Sequence, residues 1–251
     1  MSSYIKLSLQ KYKYLQKIKK NSYYRRKEEK AIVQGQHEVL ELLKNRPDIV
    51  DYLLFSDNFN IPTTYGKPAY TLDRGMAKDL SYDNNYIDVA AVVNTKNIEG
   101  LLTDFTRGFL IGLVNVQDPF NLGSIFRTAE SLNVTGIILM DNCVDPFNPK
   151  VVASSTGSIF RVPFAKVENS LEFLNNHKQL TIVGTDKNAQ SSYFDKKLST
   201  GIILFGNEGK GLSEPVLNMT TYNVKIPIKK IDSLNLAVSV GIITAFHKLE
   251  K

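Results

Sequence analysis

Four consecutive large apolar residues, Ile202-Ile203-Leu204-Phe205, lie between Gly201 and Gly206. A run this short, with glycine at both ends, suits a buried strand and not a helix. The strand must then deliver the chain into Gly206-Asn207-Glu208-Gly209-Lys210-Gly211. Three glycines in six residues admit positive φ and a close approach to the main chain, and Glu208 adds a carboxylate. Such a turn is either a ligand-binding loop or a tight connection into the next helix. Spacing excludes two phosphate loops: Leu204 stands where a P-loop needs its first glycine and Gly211 where it needs a hydroxyl, while Glu214 stands where a dinucleotide loop needs its third glycine. Beyond a short helix candidate come Ile226-Pro227-Ile228 and Ser233-Leu234-Asn235, so residues 202–235 form the stretch around which the chain is organised.

A second apolar run, residues 109–114, reads as another buried strand and leads into Asp118-Pro119, a turn, and then a helix that Asn121 can cap. Gly123 lets that helix pack closely. Asn121 and Arg127 are six residues apart, which at about 100° per residue puts them on different faces. If both serve one site, Asn121 acts from the cap and Arg127 from further along, toward a second subunit; otherwise Arg127 makes a salt bridge. Further on, residues 134–140 read as strand, 145–164 as turn, helix and strand around Ser154-Ser155-Thr156-Gly157-Ser158, 171–176 as helix and 180–184 as strand ending at Thr185-Asp186. Residues 234–249 close the chain as a helix with Leu236, Val240, Ile243 and Phe246 on its packing face.

Charge is concentrated at the other end. Ten of the 31 Lys and Arg residues but only two of the 25 Asp and Glu residues lie in the first thirty positions, which carry +8 against −2 for the remainder. Tyr4, Tyr12, Tyr14, Tyr23 and Tyr24 are interleaved with these cations. Cations displace phosphate counterions and aromatic rings stack on unpaired bases, so the segment suits RNA; a solvated basic helix and an acidic membrane surface are the other readings. Strands at 31–34, 49–55 and 89–93 alternate with helices at 36–44, whose apolar side is Val39, Leu40, Leu42 and Leu43, and at 72–80. Residues 57–68 are rich in turn formers, and 94–107 connect onward. The pattern predicts a small α/β domain over residues 1–103 and a larger α/β domain over 104–251.

The 251 residues contain no apolar run long enough for a membrane span and no signal-peptide centre, which predicts a cytoplasmic protein. Cys143 is the single cysteine, and His37, His177 and His247 are scattered, so no disulfide and no metal site is expected.

Three ordered motifs carry a resemblance. They are Asn121-Leu122-Gly123-Ser124-Ile125-Phe126-Arg127-Thr128-Ala129, then Phe205-Gly206-Asn207-Glu208-Gly209-Lys210-Gly211-Leu212-Ser213, then Ile226-Pro227-Ile228 with Ser233-Leu234-Asn235. With them, residues 107–251 resemble the SpoU/TrmH family of SPOUT RNA methyltransferases. Residues 20–60 resemble its amino-terminal substrate-binding domain more loosely. Two departures stand out: Lys229-Lys230-Ile231-Asp232 lacks the glycine often found after Ile-Pro, and Gln34 replaces an acid before Gly35.

The resemblance implies a parallel-sheet SPOUT domain whose carboxy-terminal segment forms a deep trefoil knot, a rare exception to unknotted topology. It implies S-adenosylmethionine as methyl donor, bound at Gly206, Ile226 and Leu234 with Thr185, Leu204 and Ile228 nearby, and no metal. It implies a homodimer in which Arg127 faces the donor of the other subunit. The implied reaction is methylation of a ribose 2′-hydroxyl, with ribosomal RNA preferred to tRNA because a separate substrate domain is present. Arg127, Asn121, Glu208, Ser233 and Asn235 match the family's motif polar residues; Asn121 as helix cap and Glu208 as loop brace are equally open readings. Lys17, Lys19, Arg25 and Arg26 are the candidate RNA contacts. A non-catalytic RNA-binding protein that keeps the same fold is the alternative from another class.

Overall fold

The computed structural model describes residues 5–57, 59, 66–83, 85–96, 98–195 and 198–249. The chain divides into two compact units, Met1–Asn97 with Asp145–Phe160, and Ile98–Val144 with Arg161–Lys251. The division therefore falls at residue 97, not after 103, because Leu102 enters the second core and the Gly100 N–H donates to the Phe164 carbonyl. Residues 145–160, expected in the second domain, belong to the first unit.

The first unit runs β1 (Ile5–Lys6), α1 (Leu9–Lys20), α2 (Ser22–Glu28), β2 (Lys30–Gln34), α3 (Gln36–Asn45), β3 (Val50–Ser56), β4 (Ala69–Leu72), α4 (Arg74–Leu80) and β5 (Val89–Asn94). Its mixed sheet has the order β1-β4-β3-β5-β2. The basic segment is no solvated tail: Ser8 caps α1, Asn21 caps α2, and Leu15 and Ile18 are buried in a cluster with Ile32, Leu54 and Leu72. Strand β4 has no counterpart among the expected elements, and the helix expected from 72 begins at Arg74, where the Asp73 carboxylate accepts the Met76 N–H at 2.9 Å. Most of the turn-rich stretch 57–68, and Tyr4, lie outside the described residues. Gln34 donates to the Leu80 carbonyl at 2.8 Å and accepts from the Tyr82 N–H at 3.2 Å, a pair of bonds that an ionised acid could not make.

The second unit holds β6 (Phe109–Val114), α5 (Pro119–Ser131) and β7 (Gly136–Met140). After α6 (Pro149–Ser154), which lies against β2 in the first unit, it continues with β8 (Phe164–Val167), α7 (Ser170–Asn176), β9 (Ile182–Thr185), β10 (Ser191–Ser192), β11 (Gly201–Phe205), α8 (Glu214–Leu217), β12 (Tyr222–Lys225) and α9 (Leu236–Leu249). Seven parallel strands lie in the order β10-β12-β9-β11-β6-β7-β8. Every residue of β6, β7 and β11 is buried, as the apolar runs demand of strands covered on both faces. The chain builds outward from β6 to β8, then crosses to β9 on the far side of β11. Such a reversal opens a crevice at the carboxyl ends of the strands. Helix α9 packs on α5 and buries Leu236, Val240 and Ile243 as expected, together with Thr244 and His247, while Phe246 is only half-buried.

Candidate active site

The loops that leave β9, β11 and β12 at their carboxyl ends wall a cleft of about 620 Å³. Five of the six expected donor-binding residues line it: Gly206, Ile226, Leu234, Thr185 and Ile228. Leu204 does not; it is wholly buried and contributes only its carbonyl, which accepts the Thr185 hydroxyl at 2.8 Å. Charged lining at Asp186, Lys187, Lys210 and Asp232 was not among the sequence candidates.

The glycine turn works differently from the expectation. Only Gly211 takes a positive φ, 68°, whereas Gly206 is needed for contact: a Cβ there would stand 2.1 Å from the Gly211 carbonyl carbon and 2.2 Å from the Leu212 nitrogen. Asn207 closes the turn, its side-chain oxygen accepting the Gly209 and Lys210 N–H groups at 3.1 and 3.2 Å. Its amide donates to the Asn115 carbonyl at 3.0 Å, tying this turn to the loop after β6. An Asn preceding a glycine turn is the sequence signal for such a role.

Asn121 is not the helix cap. Asp118 is, accepting the Phe120 and Asn121 N–H groups at 2.7 and 3.3 Å, with Pro119 in the first helical position, where a missing N–H costs nothing. The Asp-Pro pair is the signal that identifies it. Asn121 is instead buried one turn in, where its amide donates to Glu208 Oε1 at 3.3 Å and its oxygen accepts the Asn235 amide at 2.9 Å. Asn235 in turn accepts the Val238 N–H at the start of α9, at 3.3 Å. One chain of hydrogen bonds thus joins the three sequence motifs.

Glu208 also accepts the Asp118 and Gln117 N–H groups at 3.0 and 3.3 Å. Burial pushes its carboxyl up, but these N–H groups, its own N–H and the Asn121 amide outweigh that and hold it below the usual carboxylate range. An ionised carboxylate with its lone pairs so occupied is a brace between loops and a poor proton acceptor. The other two motif residues stand apart from this chain. Ser233 lines the cleft, exposed. Arg127 is exposed, does not line the cleft, and its guanidinium makes no hydrogen bond or ion pair among the described residues.

The four candidate RNA cations divide in the same way. Lys17 and Arg26 are exposed, with the Lys17 ammonium 5.2 Å from the Tyr24 ring. Arg25 is excluded as an RNA contact: it is 5 % exposed, its Nε meets Asp145 at 2.7 Å, and its Nη1 donates to the Ile18 and Lys19 carbonyls at 2.9 Å. Lys19 donates to the Asp79 carbonyl, and burial lowers its pKa despite the nearby Asp79 carboxylate. Burial likewise pushes the Cys143 thiol up to about 11, so it offers no thiolate nucleophile. No group of His, Cys, Asp or Glu able to hold a metal ion occurs among the described residues, and no described helix is long and apolar enough to cross a membrane.

The family model described as the SpoU rRNA Methylase family matches residues 108–245. An uncharacterized tRNA/rRNA methyltransferase of Synechocystis is 37% identical over 186 residues, 68% of each chain. The 23S rRNA (guanosine(2553)-2′-O)-methyltransferase of Bacillus subtilis is 30% identical over 218 residues, 84% of this chain and 86% of that one. Among solved structures, the SpoU methyltransferase AviRb from Streptomyces viridochromogenes in complex with AdoMet shares the fold with a TM-score of 0.84 at 23% identity, covering 95% of this chain and 97% of its own. Motifs, fold and relatives agree, and the chain belongs to the SpoU rRNA methylase family of RNA methyltransferases.

Proposed function

We propose that the protein transfers a methyl group from S-adenosylmethionine to a ribose 2′-hydroxyl of ribosomal RNA in the cytoplasm. The cleft at the carboxyl ends of β9, β11 and β12 carries this reading. Main chain comes to its surface at Gly206, where no side chain fits, and Ile226, Ile228 and Leu234 supply apolar walls for an adenine. The Bacillus subtilis relative, whose name specifies a 2′-O-methylated guanosine of 23S rRNA, supports both the ribose and the ribosomal choice. After β12 the chain lines the same cleft as the loop after β11 before α9 returns onto α5, a path that supports a trefoil knot over residues 202–235.

When bound, the donor supplies an electrophilic methyl group. Glu208, Asn121 and Asn235 hold the loops that receive it, and the Ser233 hydroxyl is available to position a substrate group. A guanidinium offers hydrogen-bond donors and no acceptor, so Arg127 is not the base. Its role is to stabilise the alkoxide as it forms and to anchor the neighbouring phosphate, the proton leaving to phosphate or water. Helix α9 supports a homodimer: opposite its packed face, Val238, Ile242, Ala245 and Leu249 recur at helical spacing, with Val238 50 % and Leu249 68 % exposed. In that arrangement Arg127 addresses the donor held by the partner. Lys17 and Arg26 are the cations left to draw RNA to the first unit.

The test is transfer of labelled methyl from S-adenosylmethionine to total RNA from a strain lacking the gene. Label in ribosomal RNA supports the reading. Label in tRNA alone moves the substrate, and no label despite calorimetric donor binding replaces the enzyme with a non-catalytic RNA-binding protein.

A further inference from the structure

We propose that Asp186 makes the cleft select the positively charged methyl donor over the uncharged product that remains after transfer; this rests on the methyltransferase reading of the cleft. Asp186 directly follows β9 and lines the cleft, half-buried. Its backbone is held from both sides: the hydroxyl of the preceding Thr185 donates to the Leu204 carbonyl of β11 at 2.8 Å, and its own N–H donates to the Val224 carbonyl of β12 at 3.0 Å. A tight turn then fixes the side chain. Oδ1 accepts the Asn188 N–H at 3.1 Å, and the Asp186 carbonyl accepts the Ala189 N–H at 3.0 Å. Oδ2 accepts no hydrogen bond among the described residues, and the carboxylate makes no ion pair among them.

The other carboxylates of the cleft are occupied or open to water. Glu208 accepts the Gln117 and Asp118 N–H groups and the Asn121 amide, while Glu214 and Asp232 are exposed. Of the lining lysines, Lys187 and Lys210 are exposed and Lys225 is half-buried, and none pairs with Asp186. Asp186 is thus a fixed negative charge without a counterion, and partial burial leaves its field less screened than that of an exposed acid. Donor and product differ by one charge. Sulfur is a sulfonium cation in S-adenosylmethionine; once the methyl carbon bonds to the acceptor oxygen, the C–S electron pair stays on sulfur and S-adenosylhomocysteine is a neutral thioether there. Adenine, ribose and amino-acid groups are the same in both. A carboxylate whose field reaches the sulfur therefore favours entry of the donor and departure of the product. The positive charge is already leaving sulfur in the transition state, so this interaction lowers the KM for donor and does not raise kcat.

Asp186→Asn removes the charge and keeps the oxygen that accepts the Asn188 N–H. Calorimetric titration of wild type and variant with S-adenosylmethionine and, separately, with S-adenosylhomocysteine tests the proposal without RNA. The expected result is donor affinity about ten-fold weaker in Asp186→Asn, the lower end of what one opposite charge within about 4–6 Å does to an ionisable group, with product affinity changed by less than about two-fold. Asp232→Asn, which removes an exposed acid from the same cleft, should alter the donor-to-product ratio less. In turnover with RNA, the loss in Asp186→Asn should fall on the KM for donor. Equal weakening of donor and product would mean that Asp186 serves a group they share or the shape of the loop, and overturns the proposal. An equal change of ratio in Asp232→Asn would assign the selection to overall charge and overturns it as well. RNA methylation by wild type with an unaltered ratio in Asp186→Asn sinks this inference alone. Charge-selective binding in a protein that methylates no RNA supports this inference and sinks the enzymatic reading alone, and binding of neither compound overturns both.

Discussion

Helices α1 and α2 and the junction of α5 with the loop after β11 each present polar residues that sequence groups together and the fold separates. In the first region Arg25 and Lys19 are turned inward onto Asp145 and backbone carbonyls, while Lys17 and Arg26 face water. In the second, Asn121, Glu208 and Asn235 satisfy one another, while Arg127 is left open. The difference within each region is one of occupancy. A polar group whose hydrogen bonds are already made by the fold holds shape, and one whose bonds are unmade is available to a ligand.

The largest effect should come from Arg25. Arg25→Ala leaves Asp145 without its cation and two carbonyls without donors, and urea unfolding should show a loss of about 3–5 kcal/mol. Arg26→Ala should stay within about 0.5 kcal/mol of wild type. Equal effects would erase the contrast between these neighbours. Next, Arg127→Ala should lower kcat by about 10²–10³-fold with unfolding free energy unchanged, as for loss of a donor to developing negative charge. Asn121→Ala should cost about 1–3 kcal/mol of stability as well as activity, because Glu208 and Asn235 lose a shared partner.

Glu208 sharpens the comparison through pH. Its folded-state carboxyl lies below the usual carboxylate range, so its stabilising contribution is present above the unfolded value and is lost as pH falls through the folded one. The stability gap between wild type and Glu208→Gln, measured by unfolding across pH, should therefore be full near neutrality and shrink below about pH 4. A gap independent of pH would show that charge at Glu208 is irrelevant to the brace. The smallest effect belongs to Lys17→Gln with Arg26→Gln. RNA affinity should fall only a few-fold, but the slope of log affinity against log salt should lessen by about 1.4, or 0.7 per lost single-strand phosphate contact.

The buried strands of the central sheet were legible in the sequence because β6, β7 and β11 are apolar along their whole length, a pattern that needs no knowledge of neighbours, while their parallel arrangement was implied only by the family resemblance. The cleft was nearly as legible, since the second and third motifs are two of the loops that line it. What escaped depends on partners far along the chain. Arg25 reads as one more surface cation until Asp145, 120 residues away, is brought beside it. The same distance hid the membership of residues 145–160 in the first unit, where Arg46 donates to the Phe160 carbonyl at 2.8 Å. Strand β4 is four residues beside a turn-rich stretch, too short for periodicity to register. The need for Gly206 came from the approach of Gly211 and Leu212, and not from its own backbone angles.

The most direct test of the account is alkaline hydrolysis of RNA that the protein has methylated with labelled donor. A methyl group on the ribose 2′-oxygen removes the nucleophile that cleaves the adjacent phosphodiester, so the account predicts label in an alkali-resistant dinucleotide at a single position of ribosomal RNA, absent when Arg127→Ala is used. Label released in mononucleotides would place the methyl group on a base and contradict the assignment of the ribose hydroxyl as acceptor.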